Sequence, residues 1–188
     1  MTDTVPPAAA AAKRDLLLDA AQVVNILCCI ALIFAMVLVG IGAGAIATVG
    51  HAGLVAKLAE AGAPAFVAWL LVGALLLIEV LLYLALRFLL ELRGIVSSVG
   101  EGDPFHPENA RRLSRMGWIA LIGQVLILPL GALATWLEPF ADKLGDNIEI
   151  KTSVGFDGGT ILLILILFIL ARVFRRGAEM RDELEGTV

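Results

Sequence analysis

Four long apolar stretches, parted by polar ones, set the pattern of this chain. The first, about residues 23–49, carries no charge and is interrupted only by Asn25. The second, about 65–86, holds Glu79. The third, about 116–137, carries Gln124 and Pro129, and the fourth, about 160–174, ends near Arg172. A membrane-crossing helix needs about 20 mainly apolar residues at ~1.5 Å rise. The first stretch exceeds that and is too long for a signal-peptide core, so it reads as a retained helix. Pro129 removes a backbone donor and predicts a kink unless neighbours compensate.

The connections differ in character. Residues 1–14 are rich in Pro and Ala and predict a disordered tail. Between His51 and Pro64, the spacing of Leu54, Leu58 and Ala61 allows a turn or two of surface helix. Between the third and fourth stretches, Ile148, Ile150, Thr152, Val154 and Phe156 alternate with polar or small residues, the period of a half-buried strand over about 147–156. The fold class expected is therefore an all-α membrane protein. It is a four-transmembrane-helix bundle with a short extracytoplasmic β-strand segment, one domain over residues 15–188.

Composition agrees. Of 188 residues, 60% are hydrophobic, against about 45–50% in soluble domains, and mean hydropathy is +0.93. A net charge of −4 offers no general attraction for nucleic acid. Cys28 and Cys29 are adjacent in an apolar run and read as packing residues. His51 has no second ligand nearby. No spaced His/Cys set, phosphate loop or G-x-S-x-G is present, so neither metal, cofactor nor enzymatic activity is expected.

Charge sign is unevenly spread. Eleven Lys and Arg residues fall on the side of the N-terminus, the 87–115 connection and the C-terminus; three, Lys57, Lys143 and Lys151, fall on the other. By the positive-inside rule both termini and the central loop face the cytosol, the placement of a multi-pass membrane protein with an even number of spans. Gly40 and Gly44 form a small-xxx-small pair. It suits close packing within the chain, with a homo-oligomer as the alternative.

Glu79 is the one acid well inside a span. A carboxylate there is costly unless paired or protonated, so it is a functional candidate. Counting from the span ends places Asn25, Glu79 and Gln124 at comparable depth, and they are expected to form one hydrogen-bonded layer with Tyr83. Its roles are either helix register or a proton- or substrate-sensitive site.

The most specific stretch is Gly94–Arg115, GIVSSVGEGDPFHPENARRLSR. Gly100 to Pro104 reads as a turn. Pro107 suits a first helical position and Glu108 the first turn, where the helix dipole favours an acid. Glu108 can pair with Arg112 at i+4, and Arg111 and Arg115 share a face. Asp103, Pro104, Phe105, Glu108, Asn109, Arg111, Arg112 and Arg115, with Arg175 and Arg176 beyond the fourth span, are the candidate cytosolic docking residues. The alternative is a basic anchor on anionic lipid head groups. Direct DNA reading is not expected, because acids are interleaved.

Gly102-Asp103-Pro104-Phe105 followed by Glu108-Asn109-Ala110-Arg111-Arg112-Leu113, together with Val173 to Met180 after the fourth span, resembles the bacterial four-span membrane proteins of domain of unknown function 2975 (YoaS-like), over about residues 20–188. The resemblance implies no established activity. It does imply association with a small helix-turn-helix regulator, whose genes often lie beside those of the family. The leading expectation is a non-enzymatic regulatory or sensory membrane protein binding such a cytosolic regulator. The alternatives are a small transporter or channel component using Glu79, or a structural subunit of a membrane complex.

Overall fold

The computed structural model of the chain describes residues 16–144 and 158–185. The expected tail over 1–14 and the expected strand over 147–156 lie outside these residues, and among the described residues no strand occurs. The fold is five helices: α1 (Leu16–Ala47), α2 (His51–Glu60), α3 (Val67–Gly100), α4 (Pro107–Leu144) and α5 (Gly158–Glu185). α1, α3, α4 and α5 are long and apolar enough to cross a membrane, which makes this a multi-pass membrane protein.

The helices run past the apolar stretches that announced them. α3 continues from the end of its apolar run to Gly100, α4 begins at Pro107, and α5 reaches Glu185. The stretch 87–115, expected as a cytosolic loop with a helix starting at Pro107, is mostly helix on both sides, and residues 101–106 form the connection. Leu, Arg and Glu between 86 and 93 are good helix formers in water as in lipid. α4 runs unbroken through Pro129, where the missing donor leaves the carbonyl of Val125 without its usual helical partner.

Both tight corners end a helix in the same way. In α2, Gly62 (φ +78°) lets its own N–H reach Ala59 O at 3.0 Å and the Ala63 N–H reach Leu58 O at 2.8 Å. In α3, Gly102 (φ +85°) lets its N–H reach Val99 O at 3.1 Å and the Asp103 N–H reach Ser98 O at 3.1 Å. This is the Schellman closure, which satisfies the last carbonyls of a helix and favours glycine at the left-handed position.

Backbone packing runs α1–α3–α4–α5, with α1 and α5 at the edges and α2 beneath α3. Among the described residues α1 approaches neither α4 nor α5. The four spans are thus an open row rather than a closed bundle. Lipid tails are as apolar as leucine, so no hydrophobic force compels the row to close. Among the described residues the close packing expected within the chain at Gly40 and Gly44 is also not made: a Cβ at either would meet nothing within 4 Å.

Two buried clusters pin the row at its ends. At one, Leu58 of α2 packs with Ala63, Val67, Ala68 and Leu137, flanked by the stacked Phe66 and Trp136 rings. Leu58 is 1% exposed, so α2 is an anchored helix and not a loose surface turn. At the other, Leu113, Met116, Leu167 and Ala171 meet Phe88, Leu92, Ile95 and Phe174, joining α3, α4 and α5. Leu58→Ala is expected to cost about 2–4 kcal/mol through lost contacts and a residual cavity. Thermal unfolding in mild detergent would show it as a lowered midpoint, whereas Val49→Ala, at a residue 90% exposed, leaves the midpoint unchanged.

Candidate functional site

Beyond the second cluster the polar ends of α3, α4 and α5 form a three-helix head, and its centre is Asn109. That side chain is completely buried. Its amide nitrogen donates to Ser98 Oγ at 2.6 Å and to Pro104 O at 3.0 Å. Its amide oxygen accepts from Arg112 at 3.3 Å, and its backbone N–H donates to His106 O at 2.9 Å. A buried amide must have its polar atoms met in this way or lose the free energy of desolvating them. One residue thus ties the end of α3, the turn and the start of α4.

The start of α4 is built as its residue order predicts. Pro107 is the first helical residue, and His106 precedes it as a cap, its Nδ1 accepting from the Glu108 N–H at 3.2 Å. Glu108 does not pair with Arg112. It pairs with Arg111 at 2.7 Å and with Arg115. Arg112 instead turns toward α3, where it donates to Gly94 O. Gly94 makes the room, since a Cβ there would lie 2.6 Å from the Arg112 guanidinium carbon. The carbonyl it finds there replaces the expected i+4 partner.

Arg115 holds a second acid. Its guanidinium donates to both oxygens of Glu91, at 2.9 and 3.0 Å, and Arg87 approaches the same carboxylate at 3.8 Å. Glu91 is buried, and a buried carboxylate is tolerated when paired in this charge-assisted way.

The turn then docks on α5. Asp103 forms an ion pair with Arg181 at 2.6 Å, and the Phe105 ring lies 5.5 Å from that of Phe174. Phe105 sits on Gly177, where an added Cβ would come within 2.6 Å of its Cδ1. Phe174, Gly177 and Arg181 follow helical spacing and present one face of α5 to the turn.

Of the candidate docking residues, Asp103, Pro104, Phe105, Asn109, Arg112 and Arg115 make contacts within the head. Glu108 is shared between Arg111 and Arg115. Arg111, Arg175 and Arg176 are exposed. Ser98, Gly94, Glu91, Phe174, Gly177 and Arg181 were not singled out as site residues. The signal available was the pair of glycines within polar helical sequence, each opposite a large side chain.

The structure places Asn25 apart from the other members of the expected intramembrane layer. Asn25 is buried and donates to Leu89 O at 3.0 Å, ten residues along α3 from Glu79, or roughly 15 Å at helical rise. Gln124 is buried, and the α3–α4 register set by the Glu91–Arg115 and Ser98–Asn109 contacts puts it opposite about Leu82. Tyr83 is half exposed. The Glu79 Oε2 is buried without a partner. Among the described residues, no group of three His, Cys, Asp or Glu side chains is placed to hold a metal ion.

These features define a multi-pass membrane protein whose polar helix ends are locked into one head. The family described as Protein of unknown function (DUF2975) matches residues 48–188, and the chain belongs to that family. The match is shorter than the resemblance, which began near residue 20, and leaves α1 outside. No curated protein and no solved structure matches the chain.

The network predicts a ranking. Asn109→Ala strands Pro104 O and removes the bonds to Ser98 and Arg112, and is expected to cost about 1–3 kcal/mol. Asp103→Ala removes a half-exposed ion pair and is expected to cost less than about 1 kcal/mol. Thermal unfolding of the two variants in mild detergent, side by side, checks the order.

Proposed function

We propose that this is a non-enzymatic regulatory or sensory protein of a bacterial inner membrane. Its three-helix head faces the cytosol and docks a soluble partner. The orientation rests on the eleven-to-three distribution of Lys and Arg. The partner we infer is a small helix-turn-helix regulator, the association that family resemblance carries.

The observation that supports docking is the locking of the head. Three separate helix ends are held by Asn109, by the Glu91–Arg115 pair and by the Asp103–Arg181 clamp. A rigid surface loses little entropy on binding, so it binds better than loose loops of the same composition. The GDPF and ENA side chains are largely engaged in that locking. Recognition then falls to the exposed charges around them, Arg93, Glu101 and Arg111 first.

A second reading has one observation in its favour. The partnerless Glu79 Oε2 lies within the apolar length of α3, as a proton-coupled transport site would require. In that reading Glu79→Gln abolishes a flux or proton response while leaving the protein folded.

The experiment is isolation of the tagged protein from its native membrane in mild detergent. A stoichiometric helix-turn-helix protein is expected, lost in Arg111→Glu/Glu101→Lys while the melting midpoint stays unchanged. Membrane subunits alone, or no companion, would defeat the docking reading.

A further inference from the structure

α5 has a second face that the head does not use. Phe168, Arg172, Arg175, Arg176 and Glu179 lie on it, and with Ala171 and Ser114 of α4 they line a cleft of about 420 Å³. None of the three arginines makes an ion pair or side-chain hydrogen bond among the described residues. This differs from Arg87, Arg111 and Arg115, each beside a carboxylate. The clamp face, with Phe174, Gly177 and Arg181, is separate from it.

The cleft has a particular position. Its floor is Phe168 and the buried Ala171, at the end of the apolar length of α5, and Leu165 and Ile169 beside it are exposed apolar residues. Its mouth carries the guanidinium groups. So the same few turns of helix offer cations at one level and lipid-facing hydrocarbon immediately below. Guanidinium groups match phosphate oxygens in geometry and charge, and pair with them through two N–H donors at once. The Ser114 hydroxyl adds a neutral donor from α4. Glu179, the one acid in the lining, lies beyond the arginines on the polar side and so disfavours a highly charged soluble anion entering from that direction.

We infer that this cleft is a binding site for the phosphodiester of an anionic phospholipid. Arg172, Arg175 and Arg176 hold the head group, and the acyl chains run along the exposed apolar flank of α5. Basic pockets between membrane helices are suited to such head groups. The inference needs only that the chain crosses a bilayer, and it stands whether or not the head docks a partner.

The test uses the full chain in mild detergent, with phosphatidylglycerol and phosphatidylcholine of identical acyl chains as probes and native mass spectrometry as the readout. Phosphatidylglycerol is expected to bind at least about tenfold better than phosphatidylcholine. Each arginine removed should weaken that binding about fivefold. Arg175→Gln/Arg176→Gln is compared with the charge-matched Lys57→Gln/Lys143→Gln, which leaves the cleft intact and should bind as the parent does. Circular dichroism and elution volume confirm folding. If the double variant does not fold, Arg175→Gln alone carries the comparison. Equal binding of the two lipids, or equal loss in both double variants, would overturn the site. Full displacement of the lipid by millimolar inorganic phosphate would show a soluble anion to be the ligand and overturn the lipid assignment.

Discussion

The buried amide of Asn109 is the constraint on which the head depends. It lies where two helices and a turn leave no room for water, so each of its polar atoms must find protein. Meeting that requirement fixes three things together: the distance of α4 from Ser98, the path of the turn through Pro104 O, and the side on which Arg112 crosses to α3. Aliphatic packing at the same point, by Leu113 and Met116, is non-directional and would accept several registers. The amide accepts one. This is the use of buried polarity that costs stability in isolation and returns specificity.

From that register the rest of the polar end follows. With α3 and α4 held, Arg115 falls opposite Glu91, and the turn presents Asp103 and Phe105 to α5. α5 answers with a charge, a ring and a glycine at helical spacing. The opposite end is held differently. There α2 closes against α3 with Leu58, Val67 and Leu137 in an aliphatic cluster. Between the two ends, among the described residues, α1 packs on α3, and an apolar groove of about 350 Å³ is left between α1, α3 and α4. Lipid fills such a groove without penalty, so nothing forces α1 inward.

How much of this was legible can be traced residue by residue. The spans were, because hydropathy responds to the lack of charge over about 20 residues. Pro107 and Glu108 as a helix start were also legible, because helix ends have local chemistry. The helical nature of 87–100 was not. Low hydropathy reports affinity for water, and Leu92, Arg93 and Val96 in a helix are as polar on average as the same residues in a loop. Depth within the membrane failed for a related reason. It was counted from span ends that the helices ignore, so Asn25 and Glu79 seemed level when a hydrogen bond to Leu89 O sets Asn25 roughly 15 Å away. The α1 position was hidden because uniformly apolar faces carry no direction. Gly40 and Gly44 have the spacing of a packing seam, but a seam needs a partner, and among the described residues none lies within 4 Å of it.

The treatment of charge separates what the head uses from what it leaves available. Glu91 and Glu108 are shared among Arg87, Arg111 and Arg115, and Asp103 holds Arg181, so these groups are spent within the fold. Arg172, Arg175 and Arg176 are not, although Glu179 is close enough in sequence to pair with one of them. Three like charges on one helix face repel mildly, and a nearby anion that supplies the counter-charge relieves that repulsion. For a helix leaving a bilayer, the nearest such supply is the phosphate layer of the membrane itself. The two faces of α5 therefore divide its work: one secures the head to the spans, and the other secures the spans to the lipid.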